Sequence, residues 1–159
     1  MTAVSPEPVK ELSISIHKIL VAVDLTENSE YTIGYAVQLA KSLHASIVLV
    51  HVFEPHPMYE FPNEYAYDMI ENQRREFEMH LVDHMDKVRA AGVACESAFL
   101  DGEPAERIAA LARQMDADLI VTASHHPTLL ARLFNLDKAP QILHRAPCPV
   151  LVYHEKDES

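Results

Sequence analysis

The chain has 159 residues, 48% hydrophobic and 23% charged, which excludes a disordered polymer and fits one domain with its own core. Thirteen Lys and Arg stand against 24 Asp and Glu, a formal net charge of −11; a surface that acidic repels nucleic-acid phosphates and anionic membranes alike. The two cysteines, Cys95 and Cys148, lack metal-ligand spacing and fit a reducing, cytoplasmic setting.

Met1 to Glu11 is polar, carries Pro6 and Pro8, and lacks the apolar core of a signal peptide. Residues 1–13 are read as a flexible tail, 14–154 as a single domain and 155–159 as an acidic tail. No apolar run approaches the length of a membrane span. Ile14 to Val23 (ISIHKILVAV) ends in a β-branched, nearly all-apolar run, the pattern of a strand buried on both faces. Thr26, Asn28 and Ser29 follow, all helix-capping types. Ile33, Val37, Ala40 and Leu43 then recur at helical spacing. Ala45 to Phe53 (ASIVLVHVF) is a second strand. Strand, helix, strand in that order requires a crossover, hence parallel pairing.

Glu54 to Tyr67 carries three prolines and the aromatics Tyr59, Phe61, Tyr65 and Tyr67, and reads as a long loop. Its aromatics either form an interface or fold back over the sheet edge. A helix runs from about Asp68 to Ala91, with Phe77, Leu81, Met85 and Val88 on one stripe and Gly92 ending it. His80 and His84 share a face with Glu76 one turn earlier, the spacing of a chelating pair. The helical wheel favours partly buried rim histidines instead.

Val93 to Leu100 is a third strand. Asp101-Gly102-Glu103-Pro104 is a turn that feeds a helix, with Pro104 suited to its first position and Ile108, Leu111, Ala112 and Met115 facing inward. Ala117 to Ser124 is a fourth strand, His125 to Arg145 reads as two short helices, and Pro149 to Tyr153 is the last strand. Five strands alternating with helices imply an α/β fold: an open five-stranded parallel sheet with helices on both faces. Its working crevice lies beyond the carboxyl ends of the strands, where strand order reverses. The walls fall on Asp24, Leu25 and Thr26 after strand one, and on Ser124, His125 and His126 after strand four.

VAVDLTENS, DGEPAERIAALARQMDADLIV and HRAPCPVLVY resemble the universal stress protein family, over His17 to His154. The stretch Ala146-Pro147-Cys148-Pro149-Val150 is the most specific part. The resemblance implies a strand order of 3-2-1-4-5 in an adenine nucleotide alpha hydrolase-like fold. It also implies a homodimer, commonly joined through the last strand, here Val150, Leu151, Val152 and Tyr153.

Many members of the family bind ATP in this crevice, which would draw on Asp24, Val52, Asp101 and Ser124. Their signature is a glycine, two residues, a second glycine, nine residues, then glycine and Ser or Thr. Backbone N–H groups must approach the phosphates closely there, and glycine permits it. In this chain those positions hold Ala123, His126, Leu136 and Asp137. A like charge at about 4 Å costs roughly 4 kcal/mol at an effective dielectric near 20, or about three decades of affinity. Arg132, Lys138 and Arg145 offset part of that charge without restoring backbone approach. Ala123-Ser124-His125-His126 is similar to the universal stress protein A branch, which lacks the signature and is regarded as not binding ATP.

The resemblance therefore implies a homodimeric, cytoplasmic stress-response protein with no enzymatic activity and no cofactor. It would act on protein partners, with neither nucleic acid nor membrane as a target. The alternative is an ATP-binding module using the same crevice. A third reading is a metal or small-ligand carrier at His125 and His126. Asp24 has two roles open to it, contacting adenine or ribose, or bonding its own βα turn; the missing glycines favour the turn. Cys148, between two prolines, has no adjacent base to make it a nucleophile, and Cys95 reads as an inward strand residue. No Ser–His–Asp or paired-carboxylate arrangement stands out.

Overall fold

The computed structural model describes residues 3–54, 64–123 and 145–154. The elements run β1 (Lys18–Ala22), α1 (Ser29–Leu43), β2 (Ser46–Phe53), α2 (Glu64–Ala90), β3 (Cys95–Asp101), α3 (Pro104–Gln114), β4 (Leu119–Ala123) and β5 (Val150–Tyr153). The strands form one sheet in the order β3-β2-β1-β4-β5, every pairing parallel.

The apolar strand runs place a core on each side of the sheet, because successive side chains point to opposite faces. Ile19 and Val21 of β1 pack with Ile33 and Val37 of α1 and Leu81 and Val88 of α2. Leu20 and Ala22 pack with Ala105, Ile108 and Ala112 of α3. The crossovers β1→β2 and β2→β3 step the same way along the sheet, so right-handedness puts α1 and α2 on one face. The chain then steps back past β1, and α3 covers the other face.

Three expectations shift. The first strand begins at Lys18, four residues later than its apolar pattern. Ile14 is 82% exposed, and the pairing of β1 with β2 opens only at Lys18↔Ser46. There Asp118 Oδ2 accepts the N–H groups of His17 and Lys18 at 2.8 and 3.0 Å and ends the ladder. The second helix runs from Glu64, two residues after Pro62, so Tyr65 and Tyr67 lie on α2 and not in a loop. Both are exposed, at 79% and 67%; Tyr59 and Phe61 lie outside the described residues. Leu43 is exposed where the stripe placed it inward. It is the last residue of α1, next to His44, whose left-handed backbone at φ 55° ends the helix.

Gly92 closes α2 in the left-handed region, φ 90°. Pro104 opens α3 at its first turn, with Glu103 as N-cap. The segment expected to hold two short helices, from His125 almost to Arg145, lies outside the described residues.

Candidate functional site

Strand order reverses between β1 and β4, and the crevice opens at their carboxyl ends. Val23 N–H donates to Val50 O at 2.9 Å, so pairing continues past the end of β1. The Ala22↔Val50 register then carries Asp24 level with Val52, bringing two of the expected crevice residues side by side.

Asp24 spends one oxygen on its own turn. Oδ1 accepts from Thr26 N–H at 3.0 Å, Thr26 Oγ1 at 2.8 Å and Ser29 Oγ at 2.8 Å. The hydroxyls expected to cap α1 are therefore donated to a carboxylate instead. Asn28 takes the N-cap position without a side-chain cap bond. Between these groups Leu25 sits at φ 61°, a left-handed conformation that a Cβ resists. The Asp24-centred bonds hold the chain there.

Asp101 ends β3 opposite Phe53. Arg74 of α2 reaches over the sheet end to grip both its oxygens. Nη1 meets Oδ1 and Nη2 donates to Oδ2 at 2.6 Å. The guanidinium lies over the rings of Phe53 and Phe99, 5.9 and 5.4 Å from their centroids. Its hydrogen bonds hold the Asp101 carboxyl below the usual carboxylate range. Val52 packs towards α3. Asp101 and Val52 are thus turned to opposite sides of the sheet and do not meet.

His51 is a feature that sequence reading passed over. It sits inside the apolar run of β2, 8% exposed, edge-on to Phe77 with centroids 5.5 Å apart and tilted against Phe99 at 5.7 Å. Its Nδ1 lies 2.8 Å from Val23 O; a carbonyl only accepts, so Nδ1 carries the proton and donates. Burial pushes its pKa down, against the pull of the Val23 bond and of Asp24. A lone histidine in an otherwise apolar strand was the available signal.

Of the remaining expected residues, Ser124, His125, His126, Arg132 and Asp137 lie outside the described residues. Ala123, at the first glycine position, is the buried last residue of β4. Val150, Leu151, Val152 and Tyr153 form β5 at the sheet edge, each half-buried. The Tyr153 ring lies 5.0 Å from that of Tyr35 on α1. His84 is half-buried, and desolvation followed by Lys87 lowers its pKa. His80 is exposed rather than at a rim, its Nε2 3.8 Å from Glu76 Oε1. Among the described residues no three His, Cys, Asp or Glu groups stand where they could hold a metal ion. Cys95 is buried, which pushes its thiol up to about 11, and burial raises Cys148 as well. Neither is a poised thiolate.

The sequence pattern of the universal stress protein family matches residues 15–154, nearly the whole chain. The chain belongs to the universal stress protein family. A universal stress protein A homologue of Coxiella burnetii is 31% identical over 141 residues, covering 87% of this chain and 96% of its own. The crystal structure of a universal stress protein family member from Burkholderia pseudomallei superposes with a TM-score of 0.62 at 28% identity, over 86% of this chain and 94% of that one. The universal stress protein of Archaeoglobus fulgidus, solved in complex with dAMP, shares the fold at 21% identity and a TM-score of 0.59, over 88% and 98% of the two chains. No helix among the described residues is long and apolar enough to cross a membrane.

Proposed function

We propose that this universal stress protein is a cytoplasmic, homodimeric interaction protein that neither binds ATP tightly nor catalyses a reaction. The observation that carries the reading is the engagement of its crevice carboxylates within the chain. Asp24 Oδ1 is taken by three donors of its own turn, and Asp101 is gripped by Arg74. A ligand hydroxyl or amino group that approaches Asp24 Oδ1 or Asp101 competes with donors the protein already supplies. The residues at the glycine-signature positions, Ala123, His126, Leu136 and Asp137, support the same conclusion, since three carry a Cβ where amides must approach phosphates and the fourth adds charge. On this reading the protein takes no cofactor and carries no reaction. The dimer would form through β5, whose outer edge is apolar and needs cover.

A second reading is favoured by one observation, the dAMP complex of the Archaeoglobus relative. A monophosphate asks less of the missing glycine cradle than a triphosphate does. On this reading Asp24 and Val52, level at the crevice, would meet the nucleoside.

Calorimetric titration of the purified protein with Mg–ATP and, separately, with dAMP decides between them. The proposed function expects no saturable heat from either. Micromolar binding of ATP overturns it, and saturation by dAMP alone establishes the second reading.

A further inference from the structure

The chain has six tyrosines and no tryptophan. Its two thiols are held protonated, because burial raises the pKa of both Cys95 and Cys148, and the thiolate is the form that oxidises readily. A one-electron oxidant that meets this protein therefore draws on its phenols.

Two of those phenols meet each other. Tyr35 of α1 and Tyr153 of β5 stand with ring centroids 5.0 Å apart and planes at 31°, near the short end of the roughly 4.5–7 Å range of aromatic pairs. Among the described residues no other two tyrosine rings are in contact. Leu151 packs against the core beneath α1, and Tyr153, two residues further along β5, points to the same face. Tyr35 is 39% exposed, and Tyr31, 55% exposed, lies one turn before it. Solvent thus reaches the pair from the helix side. For packing alone phenylalanine would serve, since neither hydroxyl has a hydrogen-bond partner among the described residues. Each is free to release its proton to water.

We propose that Tyr35 and Tyr153 form an oxidative cross-linking site, whose co-reactant is a one-electron oxidant of the peroxidase–peroxide class. Each phenol gives up one electron and its hydroxyl proton and becomes a phenoxyl radical. The two radicals couple through ring carbons ortho to their oxygens. The hydrogens on those carbons then return to the oxygens as the rings regain aromaticity. One carbon–carbon bond forms, two hydrogens are lost overall, and one hydrogen peroxide is reduced to two waters. The product is a dityrosine that ties β5 to α1. β5 is four residues long and pairs on one side only, so it is the strand most open to fraying. The tie also closes a loop over nearly the whole domain and so removes entropy from the unfolded chain. The inference stands apart from the reading of the nucleotide crevice.

The full-length protein is treated with a haem peroxidase and equimolar hydrogen peroxide, then followed by dityrosine fluorescence, denaturing gel and peptide mass. The wild type should gain the fluorescence while keeping the mass of one chain. Its digest should hold a linked peptide pair bearing residues 35 and 153, lighter than the two parts by two hydrogens. Tyr35→Phe and Tyr153→Phe each keep the ring contact and should each lose that species. Tyr65→Phe and Tyr67→Phe, on exposed positions of α2, should retain it. The linked chain should melt roughly 10 °C above the untreated one, and treated Tyr35→Phe should show no such rise. Links that map to other tyrosines, covalent dimers in place of the intrachain product, or an equal yield from Tyr35→Phe overturn the site. An intrachain link with an unchanged melting midpoint overturns its role in fixing the edge strand.

Discussion

Asp24 is the residue on which the crevice wall depends. Asp24→Ala removes the acceptor for the Thr26 N–H and for the Thr26 and Ser29 hydroxyls, and frees a Leu25 held at φ 61°. Loss of hydrogen bonds to a part-buried charged acceptor costs about 1–3 kcal/mol. Urea unfolding should show a lower midpoint with an unchanged slope; a midpoint equal to that of the wild type would show that the turn does not need its carboxylate. His51 acts one step behind, pinning Val23 O from within the core. Its folded pKa is lowered by burial, so the unfolded chain binds its proton more readily than the native one. Stability is therefore fully present above the ordinary histidine value of about 6.5 and falls as pH drops below it towards the depressed native value. His51→Asn keeps a donor near Val23 O and removes the titration. Urea midpoints at pH 7 and pH 5 should lie closer together in the variant than in the wild type. An unchanged gap would assign the loss to other groups, among them the half-buried His84, whose pKa is also lowered.

Elements form where their apolar periodicity finds a partner, and their ends are set by local chemistry. The start of α3 shows this. Glu103, at φ −82° and ψ 122°, accepts from Ala105 N–H at 3.1 Å and Glu106 N–H at 2.8 Å. Glu103→Ala should cost about 1 kcal/mol, while Glu103→Asp should cost little, as read from chemical denaturation. Equal losses in the two would assign the effect to something other than the cap. Pro104 made this boundary legible in the sequence. The start of α2 was not legible, because three prolines and four aromatics outweighed the plain helix-compatible run Glu64 to Tyr67. The first strand was over-extended for a different reason: Ile14 and Ile16 carry strand alternation, but no neighbouring strand reaches them. The order of elements, the parallel sheet and the buried stripes of Leu81 and Val88 and of Ile108 and Ala112 followed from periodicity alone. Strand order came from the family resemblance. In the site, Asp24 was legible as the residue just past the first strand, whereas Val52 entered only with the family resemblance. The Arg74 grip on Asp101 was not, since nothing in sequence relates a residue in the middle of α2 to the last residue of β3.

At the scale of the whole molecule the question is what covers the open edge at β5. Ile120 N–H donates to Pro149 O at 3.0 Å, and Ile120 pairs with Val150. In a parallel ladder this register turns Leu151 and Tyr153 towards β4 and leaves the N–H and C=O of Val150 and Val152 pointing outward. Those outward groups are the ones a second copy would use. Val152→Pro deletes an outward donor and leaves the β4–β5 ladder its own bonds, and proline is tolerated on an edge strand where the missing N–H faces out. The wild type should have the mass of a dimer by light scattering, and Val152→Pro that of a monomer with a thermal midpoint lowered by only a few degrees. Proline at Leu151 should instead unfold the edge, since it removes a bond to β4. A Val152→Pro variant that remains a dimer would place the interface elsewhere, and the tyrosine pair Tyr35–Tyr153 beside the edge would then be the first surface to substitute.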